Sequence, residues 1–233
     1  MKPLSDMRLA AIFAIITGLG FWAVGVTHIL LPRDQLHFAT GISARFFQSL
    51  AQGSVVFRLH YWAFVVVALA QIGMILGLRS LQIPAPSLWY RCTEAWAILG
   101  LAVQAAEFAL IQARALAIAP AFALLPAPAQ EAVVAIGLPR LDPTLLFGSG
   151  LGAVWLGTFS LGRLRTPNWP PGHALLGLAG AAIYALVFVG AVGHVPLLID
   201  IGAALGGVVV GPVWTLWLAA LLRRPSAERP ATG

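Results

Sequence analysis

Six long stretches of this chain carry almost no charge, and that property limits what it can fold into. They run over about residues 9–31, 55–78, 88–113, 143–162, 173–195 and 201–222. A helix needs roughly 20 apolar residues to cross a hydrocarbon core about 30 Å thick, and each stretch meets that requirement. Over the 233 residues only 9% are charged and 60% are hydrophobic, against roughly 25% charged in a soluble domain. A water-soluble fold of this size could not cover its surface, whereas a lipid-facing surface needs no charge. The expected fold is therefore all-α: one polytopic integral membrane domain over residues 1–225, a bundle of six transmembrane helices, followed by a flexible cytoplasmic tail at 226–233.

The boundaries follow from local chemistry. The first stretch stops at Pro32-Arg33-Asp34 and the sixth at Arg223-Arg224-Pro225. The fourth opens on Asp142-Pro143, a capping side chain followed by proline at the first helical position. Lys2 and Arg8 resemble the basic region of a signal peptide, but the apolar run continues beyond Ala23-Val24-Gly25 with no polar start after it. A retained first helix is the expectation.

Lys and Arg divide unequally between the two sides. Lys2, Arg8, Arg79, Arg91, Arg163, Arg165, Arg223, Arg224 and Arg229 share one side, and Arg33, Arg45, Arg58, Arg114 and Arg140 the other. Cytoplasmic loops collect Lys and Arg, so both termini are expected in the cytoplasm. The net charge of +6 is thus topological; no basic run interleaved with aromatics exists to bind nucleic acid. One cysteine, Cys92, excludes an intramolecular disulfide and a Cys-rich metal site. Lysine scarcity beside abundant Ala, Gly, Arg and Pro is the bias of a GC-rich bacterial genome, which places the chain in the bacterial plasma (inner) membrane.

Two outer connections are long. Leu36, Ala39, Ile42, Phe46 and Leu50 recur near helical spacing, with Arg45, Gln48 and Gln52 on other faces, as in a short amphipathic helix at the interface. Within the Pro- and Ala-rich stretch from Pro120 to Pro139, residues 128–136 form a second such segment. Tyr61, Trp62, Trp89, Tyr90, Trp169 and Trp217 fall at edges of the stretches, where interfacial anchoring accounts for them. Trp155 and Tyr184 lie deeper and need packing partners or a cavity. Gly202 with Gly206, and Gly207 with Gly211, have the spacing that lets helix backbones touch. Intramembrane Gln71, Gln112 and Thr158 are suited to bond neighbouring helices or backbone carbonyls.

Ionisable groups inside the stretches need a reason, because each costs roughly 2.5–3.5 kcal/mol at a helix centre on insertion scales. Arg91 and Glu94, three apart on the third helix, are spaced to pair near its cytoplasmic end; the pair is a structural ion pair or an inner site. Glu107 lies about 20 Å further along the axis, well inside the hydrocarbon zone, with Gln104 one turn before it. It must be protonated, paired or facing water. His28, Arg58, His60, His194 and Asp200 share its side, so these residues with Gln104 and Glu107 form a candidate outer binding cluster. No catalytic signature exists: there is no Gly-x-Ser-x-Gly turn, and the glycine clusters follow no strand. No histidine pair has a recognised ligand spacing, so no haem, metal or other cofactor is expected.

Three places carry a family resemblance. The third stretch opens Tyr90-Arg91-Cys92-Thr93-Glu94-Ala95. The fourth contains Leu146-Phe147-Gly148-Ser149-Gly150-Leu151-Gly152, and after Pro167 and Pro170 comes Leu175-Leu176-Gly177-Leu178-Ala179-Gly180. The last holds Val213-Trp214-Thr215-Leu216-Trp217-Leu218. In these the chain resembles the uncharacterised bacterial membrane family called domain of unknown function 4386, over nearly its whole length. It departs at Gly211-Pro212, where many relatives carry Asn-Glu. The resemblance implies a six-helix membrane protein and draws attention to Arg91 and Glu94; it implies no activity.

The function expected from these residues is non-catalytic binding or transport of a small molecule, lipophilic ones included, by a protein whose other partner is the lipid bilayer. Two alternatives use the same features. One is a membrane enzyme or redox protein built on the outer histidines; the other is an accessory subunit of a larger membrane complex, docked through the small-residue faces.

Overall fold

The computed structural model describes residues 3–36, 42–79, 81, 87–138 and 140–223, with the backbone alone for residues 3–5. Lys2, Ala39, Pro139, Arg224, Arg229 and the expected tail at 226–233 lie outside the described residues. Among the described residues all regular structure is helical. The helices are α1 Pro3–Leu30, α2 Ala44–Gln52, α3 Val55–Leu78, α4 Leu88–Phe122, α5 Ala127–Ile136, α6 Leu151–Leu164, α7 Pro171–Val192, α8 Pro196–Ala204 and α9 Gly211–Arg223. A π turn, Leu146–Gly150, leads into α6, and another, Leu205–Val210, joins α8 to α9.

Local signals start several of these helices. Helices α3 and α4 open where the sequence places them, whereas α8 opens at Pro196 rather than near residue 201. Asp142-Pro143 opens no helix, because the Asp142 carboxylate reaches the Gly148 N–H and helical structure begins only at Leu146. The Ser43 and Ser87 hydroxyls accept from the N–H groups of Phe46 and Tyr90, capping α2 and α4. Pro171 and Pro196 open α7 and α8 at positions whose N–H would have no intrahelical partner. Helix α4 runs past the expected end at residue 113 to Phe122. Arg114 ends the apolar run in sequence, yet it sits on the exposed face while Ala115, Ala119 and Phe122 continue the buried one.

Neighbouring helices run antiparallel in chain order. On α1 and α3 the close approaches Ala10–Gly77, Phe13–Gly73, Gly20–Val67 and Thr27–His60 climb one helix as they descend the other. The same pattern relates α3 to α4, α4 to α6, α6 to α7, and α7 to the α8–α9 rod, whose end returns to α1. The result is a closed ring of up-and-down rods. Gly202 and Gly206 face Val187 and Ile183 of α7, so this pair serves packing within the chain. A Cβ at Gly207 would meet nothing.

Five helical rods are long and apolar enough to cross a membrane: Asp6–Leu30, Val55–Leu78, Leu88–Phe122, Pro171–Val192 and Pro196–Arg223. Their outward faces are apolar; on α1, Leu9, Ile12, Ile16, Leu19, Trp22 and Val26 form an exposed stripe at helical spacing. The stretch expected at 143–162 differs. Its helical part begins at Leu146, and the 14 residues of α6 rise only about 21 Å. It is also diluted by Gly148, Ser149, Gly150, Gly152, Gly157, Thr158, Ser160 and Gly162.

Helices α2 and α5 occupy the two long connections. Phe46, Phe47 and Leu50 of α2 are buried; Phe47 stacks on Phe122 with centroids 4.7 Å apart, and Phe46 meets Phe57 edge-on. This amphipathic segment therefore folds back over the ends of α3 and α4. That end of the ring, where α1 finishes, is the His28 end; the opposite one, where α6 finishes, is the Arg163 end.

Candidate functional site

At the His28 end the expected cluster divides into separate groups. Glu107 is buried, and both of its oxygens are used: Arg140 Nε donates to Oε1 at 3.0 Å and the Asp142 backbone N–H to Oε2 at 2.8 Å. Asp142, also buried, accepts from the Gly148 N–H at 2.9 Å, so it caps the π turn at Leu146–Gly150. Gln104 lies against Gly148, and the Phe147 carbonyl touches the bare Cα side of Gly100. Glu107 therefore clasps the 140–148 segment onto α4. His28, Arg58, His60, His194 and Asp200 make no bond to it, in place of the expected convergence.

Those residues are otherwise placed. His28 and His60 face each other across α1 and α3 with ring centroids 5.6 Å apart. The Thr27 hydroxyl lies 2.7 Å from the Ala23 carbonyl and shares a 2.9 Å hydrogen bond with His60 Nδ1. The Arg58 side chain is exposed, and its backbone carbonyl accepts from Gln112 at 2.7 Å. His194 is exposed in the tight link between α7 and α8, at φ 53°. Asp200 is exposed on α8. Among the described residues no three His, Cys, Asp or Glu side chains come together as metal ligands.

At the Arg163 end the expected Arg91–Glu94 pair is replaced. Glu94 is buried and bonds Arg79 Nε at 2.8 Å, while Arg91 is exposed. Spacing along one helix makes Arg91 a neighbour in sequence, but Glu94 faces the end of α3, which delivers Arg79.

Beside this pair lies a centre that the sequence reading did not assemble. Arg163 at the end of α6 is 3% exposed, with its guanidinium 5.1 Å from the Phe159 ring centroid and 4.8 Å from that of Trp169. Trp169 Nε1–H donates to His173 Nδ1 at 3.2 Å. His173, fully buried at the start of α7, stacks on Trp214 of α9 with centroids 5.1 Å apart. Trp155 packs on Phe159 and edge-on to Trp214. A methyl on Gly177 would overlap Ser160 Oγ and lie 2.7 Å from Trp214 Nε1, so these two polar atoms meet over a bare Cα.

The polar atoms here are not satisfied among the described residues. Trp155 Nε1, Ser160 Oγ, Arg163 Nη2, His173 Nε2 and Trp214 Nε1 are buried without a hydrogen-bond partner. The Trp214 backbone carbonyl is near the His173 ring but outside hydrogen-bonding geometry. Such atoms are rare in folded proteins, and each mispaired one costs about 1–3 kcal/mol. Two cues were present in the sequence: the Trp169-x-x-x-His173 spacing at a helix start, and an arginine with no acid near it in the chain. The convergence of α6, α7 and α9 was not.

The chain matches no family model, no curated protein and no solved structure.

Proposed function

We propose that the chain is a six-span integral membrane protein of the bacterial plasma membrane that binds or moves a small molecule, lipophilic ones included. In this reading the π turn and α6 together supply the remaining span. Helices α2 and α5 lie at the outer interface, both termini face the cytoplasm, and the family is the one resembled in sequence. The excess of Lys and Arg at the Arg163 end supports that orientation. A fluorescent protein fused after residue 233 should then fluoresce in the cytoplasm, and a periplasmic phosphatase in the same place should stay inactive; the reverse would overturn the topology.

One observation carries the binding reading: five buried polar atoms at the Arg163 end have no partner among the described residues. The outer cluster supports it less, because Glu107 is consumed by Arg140 and Asp142. Native mass spectrometry of the full chain in a neutral detergent tests it. The wild type should carry a bound small molecule that Arg163→Gln loses. Identical spectra, with nothing bound in either, would overturn the assignment.

A further inference from the structure

We infer that the Arg163 centre takes an oxyanion on an apolar tail, a carboxylate or phosphate amphiphile; this rests on the proposed binding role of the same centre. The argument is one of donor and acceptor balance. Arg163 and the indoles of Trp155 and Trp214 can only donate. Trp169 donates to His173 Nδ1, so the neutral imidazole carries its proton on Nε2 and becomes another donor. The Ser160 hydroxyl both donates and accepts, so it is one acceptor against four unpartnered donors, Trp155 Nε1, Arg163 Nη2, His173 Nε2 and Trp214 Nε1. The centre is thus short of acceptors, and also of negative charge. The three other charged side chains buried among the described residues are Glu94, Glu107 and Asp142, and each already has a partner.

Cation–π contact offsets part of the burial of Arg163, but it leaves Nη2 open. Water could accept hydrogen bonds but would bring no charge. An oxyanion supplies both, and guanidinium and indole N–H groups suit its several lone pairs. The tail is indicated by position. The exposed surfaces of α6 and α7 near the centre include Leu161, Leu164 and Leu175 beside Arg165, so a head group held by Arg163 has apolar surface beside it. Gly177 adds selectivity, since any side chain there would displace the Ser160 and Trp214 donors.

The test uses the delipidated full chain in dodecyl maltoside, which has neither charge nor phosphate. Tryptophan fluorescence and thermal unfolding are followed on addition of sodium oleate, oleyl alcohol or dioleoylphosphatidylglycerol. Oleate, the phospholipid or both should raise the unfolding temperature and alter the fluorescence, while oleyl alcohol should not. Arg163→Gln should weaken the effective ligand at least tenfold, and Arg163→Lys less. Should Arg163→Gln fail to fold, Trp214→Phe keeps an aromatic ring and removes one donor, and a threefold or greater loss is expected. A response to oleate alone assigns a free carboxylate, and one to the phospholipid alone a lipid phosphate; both support the inference. Equal responses to oleyl alcohol and oleate, unaltered by Arg163→Gln, would overturn the oxyanion and leave a binding site. No response to any probe, with wild type and variants alike, would remove both.

Discussion

Replacing Glu107 separates two roles for a buried carboxylate. As a ligand-binding group it would be dispensable for stability; as a clasp it would not. In Glu107→Leu the Asp142 N–H loses a charge-assisted hydrogen bond of 2.8 Å in a buried setting, a loss of about 1.5–3 kcal/mol. The Arg140 pair contributes less. Its side chain is one-third exposed, so screening holds that contribution below about 1 kcal/mol. Relief of the carboxylate's own desolvation offsets part of the sum, leaving a net destabilisation of about 2–3 kcal/mol. At roughly 2–4 °C per kcal/mol for a chain of this size, the melting temperature in detergent should fall by about 4–12 °C. Glu107→Gln keeps one acceptor and should lose about half as much. Hydrogen exchange gives the local signature: amides of residues 142–150 should lose protection before those of α1 and α3. A Glu107→Leu protein that melts within about 2 °C of wild type, with residues 142–150 still protected, would refute the clasp.

Further consequences concern helix ends and breaks. Arg79→Ala should destabilise by about 1–2 kcal/mol, because it leaves Glu94 buried without its partner, although half-exposure of Arg79 limits the effect; Arg91→Ala should change the melting temperature little, and the opposite order would restore the sequence-based pairing. Trp22 Nε1 donates at 3.1 Å to the Val208 carbonyl, which Pro212 one turn later cannot satisfy. Trp22→Phe should therefore cost about 1 kcal/mol; in a Pro212→Ala background the same change should cost almost nothing, and equal losses in both backgrounds would contradict this account.

What the sequence made legible was whatever depends on one segment at a time. Apolar length located five of the rods, and amphipathic spacing found α2. The need for a partner at Glu107 was legible too, since an unpaired carboxylate in an apolar interior is costly wherever it sits. The partner's identity was not. Arg140 and Asp142 lie in a connection whose path is set by the Gly100–Phe147 contact and the π turn, neither of which has a periodic signature. Helical spacing suggested Arg91 for Glu94 because it counts neighbours along one helix, whereas the acid points across to α3. Gln112 and Thr158 did find the predicted kinds of partner, a backbone carbonyl and a neighbouring indole, because an isolated amide or hydroxyl has few other options.

The two ends of the ring therefore handle polarity in opposite ways, and the contrast narrows where a ligand would enter. At the His28 end, Glu107 and Asp142 are closed by a guanidinium and backbone N–H groups, and α2 folds its phenylalanines over the ends of α3 and α4. Internal bonds have used up the two buried acids there. At the Arg163 end, Glu94 takes Arg79 and leaves Arg163 with aromatic rings alone. A chain able to satisfy three buried acids could have placed a fourth beside Arg163, at Ser160 for example, one turn before it on α6, but it holds a hydroxyl there. An acid would have neutralised the guanidinium and occupied its donors. Leaving them open stabilises nothing in the isolated chain, and that imbalance is what the proposed ligand would relieve.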